Sequence, residues 1–277
     1  MKEKPGIPLC FAHISDTHLP GTPANAFLER ICREFRDPWE NLRDCLRDLA
    51  AEPVDFILHA GDAVHEGSAG DYIRMRNCFA EFLPGVPVVT APGNHDRREA
   101  FRTGTPGMTE LSTGELVQEV RLPGKARILV LDTTRENVRE PLSEVQTDWL
   151  EARLSEPAEE ETLLLMHHPL TCEEEIFRLP VTDRLRQVIA GSGVRGIFSG
   201  HTHRNRVSTF MGKPCCTADS LAVGMQGPAD AVRYTSFTGY QLCRLESGVL
   251  SVENRCLTPK ARELRKKRQE IDRTKEL

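Results

Sequence analysis

The residues best suited to chemistry lie in five short segments, each closing an apolar run. They are Ile14-Ser15-Asp16-Thr17-His18, Leu58-His59-Ala60-Gly61-Asp62, Gly93-Asn94-His95-Asp96, Leu165-Met166-His167-His168-Pro169 and Ser199-Gly200-His201-Thr202-His203. Aspartate with histidine ligates borderline ions such as Zn, Mn and Fe, whereas an all-oxygen Mg or Ca site has no need of imidazoles. Singly, each segment has a plain structural reading: Asp16 and His18 as loop residues, His167 and His168 as a strand end. Together they point to one centre. Asp16, His18, Asp62, Asn94, His167, His201 and His203 are seven candidate ligands, too many for one ion and suited to two that share a carboxylate. Asn94 offers a neutral amide oxygen, and the adjacent His95 can ligate a metal or move a proton. His13 and His59 fall inside strands and read as core or supporting groups; His65 and His168 lie nearer the site. Two divalent ions against Asp16 and Asp62 leave a net charge of about +2, or about +1 with a bridging hydroxide, so an acidic chain would keep a pocket that attracts phosphate.

These side chains need a scaffold that brings several strand ends to one edge. Residues 9–14 read as a strand leading to Asp16, and residues 54–58 as one leading to Asp62. Val86, Val88 and Val89 form a third strand, closed by Ala91-Pro92 before the Gly93 turn. Between them lie a helix opened by Asp37, Pro38 and Glu40, with the stripe Trp39, Leu42, Cys45, Leu46, Leu49, and another near residues 71–82. The βαβαβ order predicts parallel strands with right-handed crossovers and a functional crevice at their carboxyl ends. Further on come a strand at 128–131, a helix opened by the capping box Ser143/Gln146, and a strand at 162–166. A helix closed by Gly191 and a strand at 194–198 follow. Residues 101–114, rich in Gly, Thr and Pro, read as a loop, and residues 207–253 as a second, largely antiparallel sheet.

Residues 19–37 stand apart as a helical insertion near the site. Pro20, Gly21 and Pro23 precede a stripe of Leu28, Ile31, Cys32 and Phe35. That stripe can pack on the core, lie at a subunit interface in a homodimer, or belong to a lid that narrows the pocket mouth. The expected organisation is one catalytic domain over residues 1–258 and a charged helix or tail over 259–277.

Composition bounds the partners. The 277 residues are 39% hydrophobic and 28% charged, with a formal charge of -5, so no general attraction to nucleic acid or anionic membrane is expected. The N-terminus has no apolar signal core, and no run reaches membrane-spanning length, so the expected location is the cytoplasm. Nine scattered cysteines without C-x-x-C spacing read as reduced thiols, not a zinc ribbon or redox pair. No G-x-x-x-x-G-K-[ST] loop is present.

The ordered series D-x-H, G-D, G-N-H-D, H and G-H-x-H, spanning residues 10–203, resembles the calcineurin-like metallophosphoesterase superfamily. Gln146-x-x-Trp149-Leu150 is similar to a helix in many bacterial members. The resemblance implies two mixed β-sheets packed face to face with helices outside, a four-layer αββα fold. It also implies a split of the ligands, with Asp16, His18, Asp62 and His203 on one ion and Asp62, Asn94, His167 and His201 on the other. His95 matches the residue that meets the phosphate and protonates the leaving oxygen; Asp96 would orient His95 or a neighbouring backbone group. The metals would be Mn, Fe or Zn. Among members, class III cyclic-nucleotide phosphodiesterases are most similar. The implied activity is hydrolysis of a small phosphodiester, favourably a 3′,5′-cyclic nucleotide, by attack of a metal-bridging hydroxide. Phosphomonoesterase or nucleotide pyrophosphatase activity is the alternative. A nuclease or a non-catalytic scaffold ranks lower, since no extended basic surface is visible in the catalytic region and no ligand position is lost.

Overall fold

The computed structural model describes residues 8–23, 25–134 and 140–257, so the charged segment expected at 259–277 lies outside the described residues. The first half of the chain runs β1 (Leu9–Ile14), β2 (Leu19–Pro20), α1 (Ala26–Glu34), α2 (Pro38–Leu49), β3 (Phe56–His59), β4 (Val64–His65), α3 (Ala69–Phe82) and β5 (Val88–Thr90). Next come α4 (Arg98–Gly104), β6 (Thr109–Glu110), β7 (Leu116–Leu122), β8 (Ala126–Val130), α5 (Glu144–Ser155), β9 (Glu161–Leu165), α6 (Asp183–Ala190) and β10 (Val194–Ser199). The chain closes with β11 (Arg206–Phe210), β12 (Lys213–Thr217), β13 (Gly224–Gln226), β14 (Arg233–Thr235), β15 (Gly239–Glu246) and β16 (Val249–Cys256).

Two mixed sheets result. One has five strands in the order β16-β15-β1-β3-β5, the other seven in the order β11-β12-β10-β9-β8-β7-β6. In the first, β1, β3 and β5 are parallel; in the second, β8, β9, β10 and β12 are. The period-2 alternation of strands sorts their side chains between two layers. Phe11, Phe56 and Leu58 meet Ile128, Leu163, Leu165 and Phe198 between the sheets. The Phe11 and Phe56 rings stack at 4.8 Å, and Phe198 meets Phe11 edge-on at 5.4 Å. The alternate residues point outward. Ala12, Ile14 and Ile57 meet Trp39, Leu42, Leu46, Tyr72 and Phe79 of α2 and α3, whereas Leu129, Leu164 and Ile197 meet Leu150, Leu185 and Ile189 of α5 and α6. This is the expected αββα sandwich. Helix α2 starts where its signals lie, since the Asp37 carboxylate accepts the Trp39 N–H at 2.9 Å and Pro38 fills the first position.

The structure differs from the sequence reading at four places. Residues 101–114 are not all loop: α4 reaches Gly104, because Phe101 is fully buried with its ring 5.5 Å from that of Tyr72. Tertiary burial there outweighs the weak local propensity. Strand β7 was not apparent, since its half-buried middle carries little apolar pattern. Among the described residues, the strands after residue 207 do not gather into one second antiparallel sheet. Instead β15 and β16 extend the first sheet and β11 and β12 the second, satisfying edges that the parallel strands would otherwise leave open; only β13 and β14 form a separate pair. Finally, Ser143 caps α5, but Gln146 does not return a cap bond. Its amide accepts from the Asp132 N–H at 2.8 Å and donates to the Asp132 carbonyl at 2.9 Å, tying α5 to the loop after β8.

Candidate metal centre

The loops after β1 and β3 are joined before any side chain is placed. The Asp16 N–H donates to the Gly61 carbonyl at 3.0 Å, and the His18 N–H to the Asp62 carbonyl at 2.9 Å. Both turns are sharp. Among the described residues, eight other than glycine have positive φ, and five of these are Asp16, His18, Asp62, His201 and His203. Aspartate and histidine tolerate that region better than most, yet each such residue costs on the order of 1 kcal/mol. The surrounding hydrogen bonds hold the strain where the candidate ligands sit.

Two glycines permit the close approach of these loops. A Cβ on Gly93 would lie 2.0 Å from the Asp62 nitrogen, and one on Gly200 would lie 1.8 Å from Ser15 Oγ and 2.4 Å from Asp16 Oδ2. The backbone therefore wraps the two carboxylates with no room for a larger residue.

All seven candidate ligands converge. His203 Nε2 lies 3.3 Å from Asp16 Oδ1 and 3.1 Å from His18 Nε2. Asp62 Oδ2 lies between two histidines, 3.6 Å from His18 Nε2 and 3.3 Å from His167 Nε2. His167 Nε2 is 3.0 Å from Asn94 Oδ1, and the His201 ring centroid is 5.1 Å from that of His167. Asp16, His18, Asp62, His167 and His203 are buried, His201 is half-buried and Asn94 is exposed.

The outer ring nitrogens establish which atoms face the centre. His203 Nδ1 donates to the Val223 carbonyl and His167 Nδ1 to the Ala60 carbonyl, both at 2.7 Å, which turns each Nε2 inward toward the carboxylates. Burial alone would raise the Asp16 carboxyl, but His203 beside it outweighs this and holds it well below the usual carboxylate range. Burial would likewise lower His167, yet the Asp62 carboxylate pushes it up to about 9. The His201 imidazole, lowered by burial and by His167 to about 3, is neutral at physiological pH and free to ligate. Imidazole Nε2 atoms and carboxylate oxygens turned toward one another, with positive charge favoured among them, fit divalent cations.

Two further predicted residues lie beside this group. His95 is half-buried, its ring 5.2 Å from that of His18, and its N–H donates to Asp62 Oδ1 at 2.7 Å. Asp96 accepts from the N–H groups of Gly93, Val64 and Ala63 at 2.8, 3.0 and 3.2 Å and from the Tyr72 hydroxyl at 2.7 Å. Its partners are thus backbone amides, so it shapes the turn that carries Asn94 and His95. Of the other histidines, His13 bonds to Gln241 and His59 to Thr17, both inside the core. His168 is anchored on Thr133 with its ring 4.3 Å from that of His201, and His65 Nδ1 lies 3.0 Å from His18 Nδ1. Three supporting residues had no sequence signal: Tyr72, Ser220, whose hydroxyl donates to the Asp16 carbonyl at 2.8 Å, and Thr133. Each comes from an element distant in sequence and carries no motif of its own.

A sequence profile described as Calcineurin-like phosphoesterase matches residues 10–205. A probable cyclic nucleotide phosphodiesterase of Rhodococcus erythropolis is 30% identical over 217 residues, which cover 75% of this chain and 69% of the relative. The 3′,5′-cyclic adenosine monophosphate phosphodiesterase of Escherichia coli is 30% identical over 218 residues, covering 76% and 75%. Among solved structures, a dimetal phosphatase from Danio rerio superposes with a TM-score of 0.58 at 17% identity, covering 90% of this chain and 99% of that one. That likeness is one of fold.

Proposed function

The chain belongs to the calcineurin-like phosphoesterase family of metal-dependent phosphoester hydrolases, and from that premise we propose that it hydrolyses a small phosphodiester, with a 3′,5′-cyclic nucleotide as the favoured substrate. The observation that carries this reading is the convergence of Asp16, His18, Asp62, Asn94, His167, His201 and His203 beside the half-buried His95. Asp16, His18, Asp62 and His203 would hold one ion; Asp62, Asn94, His167 and His201 would hold the other, with Mn, Fe or Zn as the metals this donor set accepts. When bound, the two ions would supply Lewis acidity toward the phosphoryl oxygens and lower the pKa of bound water. Asp62 holds its own place through Oδ1, which accepts the His95 N–H, and leaves Oδ2 facing His18 and His167. His95, on the turn after β5 that also carries Asn94 but outside the ligand set, would give a proton to the departing ester oxygen. Asp96 and Tyr72 keep that turn from moving.

Two relatives whose names specify cyclic nucleotide phosphodiesterases at 30% identity favour this substrate over monoesters. Mn-loaded protein should hydrolyse cyclic AMP and bis-p-nitrophenyl phosphate with kcat/KM at least tenfold above that for p-nitrophenyl phosphate. Preference for the monoester, or for a nucleotide pyrophosphate, would replace the phosphodiesterase reading; no turnover with any of them in a protein holding two ions would overturn it. Among the described residues, no helix is long and apolar enough to cross a membrane.

A further inference from the structure

Four rings run in file from His95 to the protein surface. The His95 and His65 rings lie 4.3 Å apart and within 17° of parallel, and His65 lies 5.5 Å from Phe27 at 25°. Phe27 in turn meets Tyr234 of β14 at 5.6 Å and 62°. The inner end is held by the close pair of His18 and His65 Nδ1 atoms and by the Glu66 N–H, which donates to the His95 carbonyl at 2.8 Å. The outer end is held as firmly. Helix α1 buries Leu28 and Ile31, and its N-cap Asn25 accepts the Leu28 N–H at 3.0 Å while donating through Nδ2 to Glu66 at 3.2 Å. Thr22 donates to Asp71 from both its N–H and its hydroxyl. These contacts, spread over the insertion, seat Phe27 against His65 and leave it half-buried.

Single exposed apolar residues need no explanation, but here an aromatic pair sits at the end of a stack that begins on the candidate proton donor. Tyr234 keeps 39% of its surface exposed. The β13–β14 hairpin that carries it also walls, through Met225 and Thr235 and with Phe237 just beyond it, a cavity of about 470 Å3 that His203 borders. Volumes of that order accept small organic ligands.

We infer that Phe27 and Tyr234 form a stacking ledge for the planar base of the substrate. The inference rests on the phosphodiesterase reading above and adds which part of the substrate the insertion recognises. With the departing oxygen at His95, the sugar lies along the edge of His65, whose ring fills the span of under 10 Å from His95 to Phe27, and the base meets the two outer rings. Stacking selects for a flat π surface without reading its edge, so the ledge favours nucleotide and aryl diesters over alkyl diesters and discriminates weakly between bases. Two other aromatic residues near the centre offer rival positions: Phe177, whose ring lies 5.7 Å from that of His201, and Phe237 at the cavity.

The test compares wild type with Phe27→Ala, Phe27→Leu, Tyr234→Ala, Phe177→Ala and Phe237→Ala, all Mn-loaded, with metal content and circular dichroism checked for each. Affinities for adenosine 5′-monophosphate and ribose 5-phosphate are measured by calorimetry. In parallel, kcat/KM is measured for bis-p-nitrophenyl phosphate and glycerophosphoethanolamine. Phe27→Ala should weaken nucleotide binding about tenfold, the scale of one lost base stack, and Tyr234→Ala somewhat less, while ribose 5-phosphate binding stays within twofold. The aryl-to-alkyl ratio of kcat/KM should fall in step. Phe27→Leu, which keeps apolar bulk over His65 but has no π face, should show the same selective loss even if the alanine variant folds poorly. Equal weakening of the nucleotide and the sugar phosphate would make Phe27 only a support for His65 and His95 and overturn the ledge. So would a selective loss confined to Phe177→Ala or Phe237→Ala. Should wild type fail on cyclic AMP, the substrate reading falls, yet the aryl-to-alkyl ratio still decides the ledge.

Discussion

Replacing Gly93 by alanine adds one methyl group at the point where two loops of the centre touch. Its Cβ would lie 2.0 Å from the Asp62 nitrogen, 2.2 Å from Asp62 Oδ1 and 2.7 Å from Asp62 Cα, against ordinary contact at 3.4 Å or more. The obstacle is mostly backbone, so no side-chain rotation relieves it, and the loops must separate by more than an ångström. Asp62 is bonded through Oδ1 to the His95 N–H and faces His18 and His167 through Oδ2, so both candidate ion sites and the candidate acid move together. A misplacement of about 1 Å in a catalytic constellation costs about a hundredfold in rate, and overpacking costs about 1–3 kcal/mol in stability. Gly93→Ala should therefore bind less than two ions per chain and lose about a hundredfold or more in kcat/KM toward bis-p-nitrophenyl phosphate. Gly193→Ala is the matched control, since its Cβ would meet nothing within 4 Å. Metal analysis and steady-state kinetics on both variants make the comparison. A Gly93→Ala protein with two ions and a kcat/KM within threefold of the control would refute the close-approach argument.

Asp62→Ala should lower metal content at both sites and cut turnover on the order of a thousandfold; two retained ions with near-normal rates would exclude a bridging role. His95→Ala should keep its metals yet lose about a hundredfold or more in turnover on substrates with alkyl leaving groups. The loss should be smaller with nitrophenolate, and an equal loss with both would rule out proton donation. Burial, only partly offset by the Asn205 hydrogen bonds, pushes the Asp219 carboxyl up to about 6, so the folded protein holds that proton more tightly than the unfolded chain does. The resulting stability is fully present below about pH 4 and is lost as pH rises through about 6. Asp219→Asn should therefore flatten the fall in unfolding free energy between pH 4 and 7 relative to wild type, by an amount on the order of 2–3 kcal/mol; parallel stability profiles from denaturant titrations would contradict it.

Much of the scaffold was legible because its signals are local. Strands β1 and β9 are built on the apolar runs at residues 9–12 and 163–165, and the start of α2 is written in Asp37, Pro38 and Trp39. Candidate ligands could be picked out for the same reason, since a metal-binding residue type directly after a strand needs no partner to be noticed. The role of Asp96 was less legible, because its carboxylate serves amides of two loops and the hydroxyl of Tyr72 on α3. Elements whose formation depends on a distant surface, such as α4 with Phe101 against Tyr72, escaped local reading.

By itself the sequence determined the parallel βαβαβ start, the order of the strand-end segments and the chemical types they carry, because backbone propensity and side-chain donor type belong to individual residues. Only the tertiary structure decided that His18 and His203, 185 positions apart, bring their Nε2 atoms to 3.1 Å. Only it decided that β15 and β16 join the first sheet and that Phe27 and Tyr234 end a stack begun at His95. Those outcomes follow from burial and edge pairing across the whole chain, where many registers are locally equivalent and only one fills the core while satisfying every strand edge.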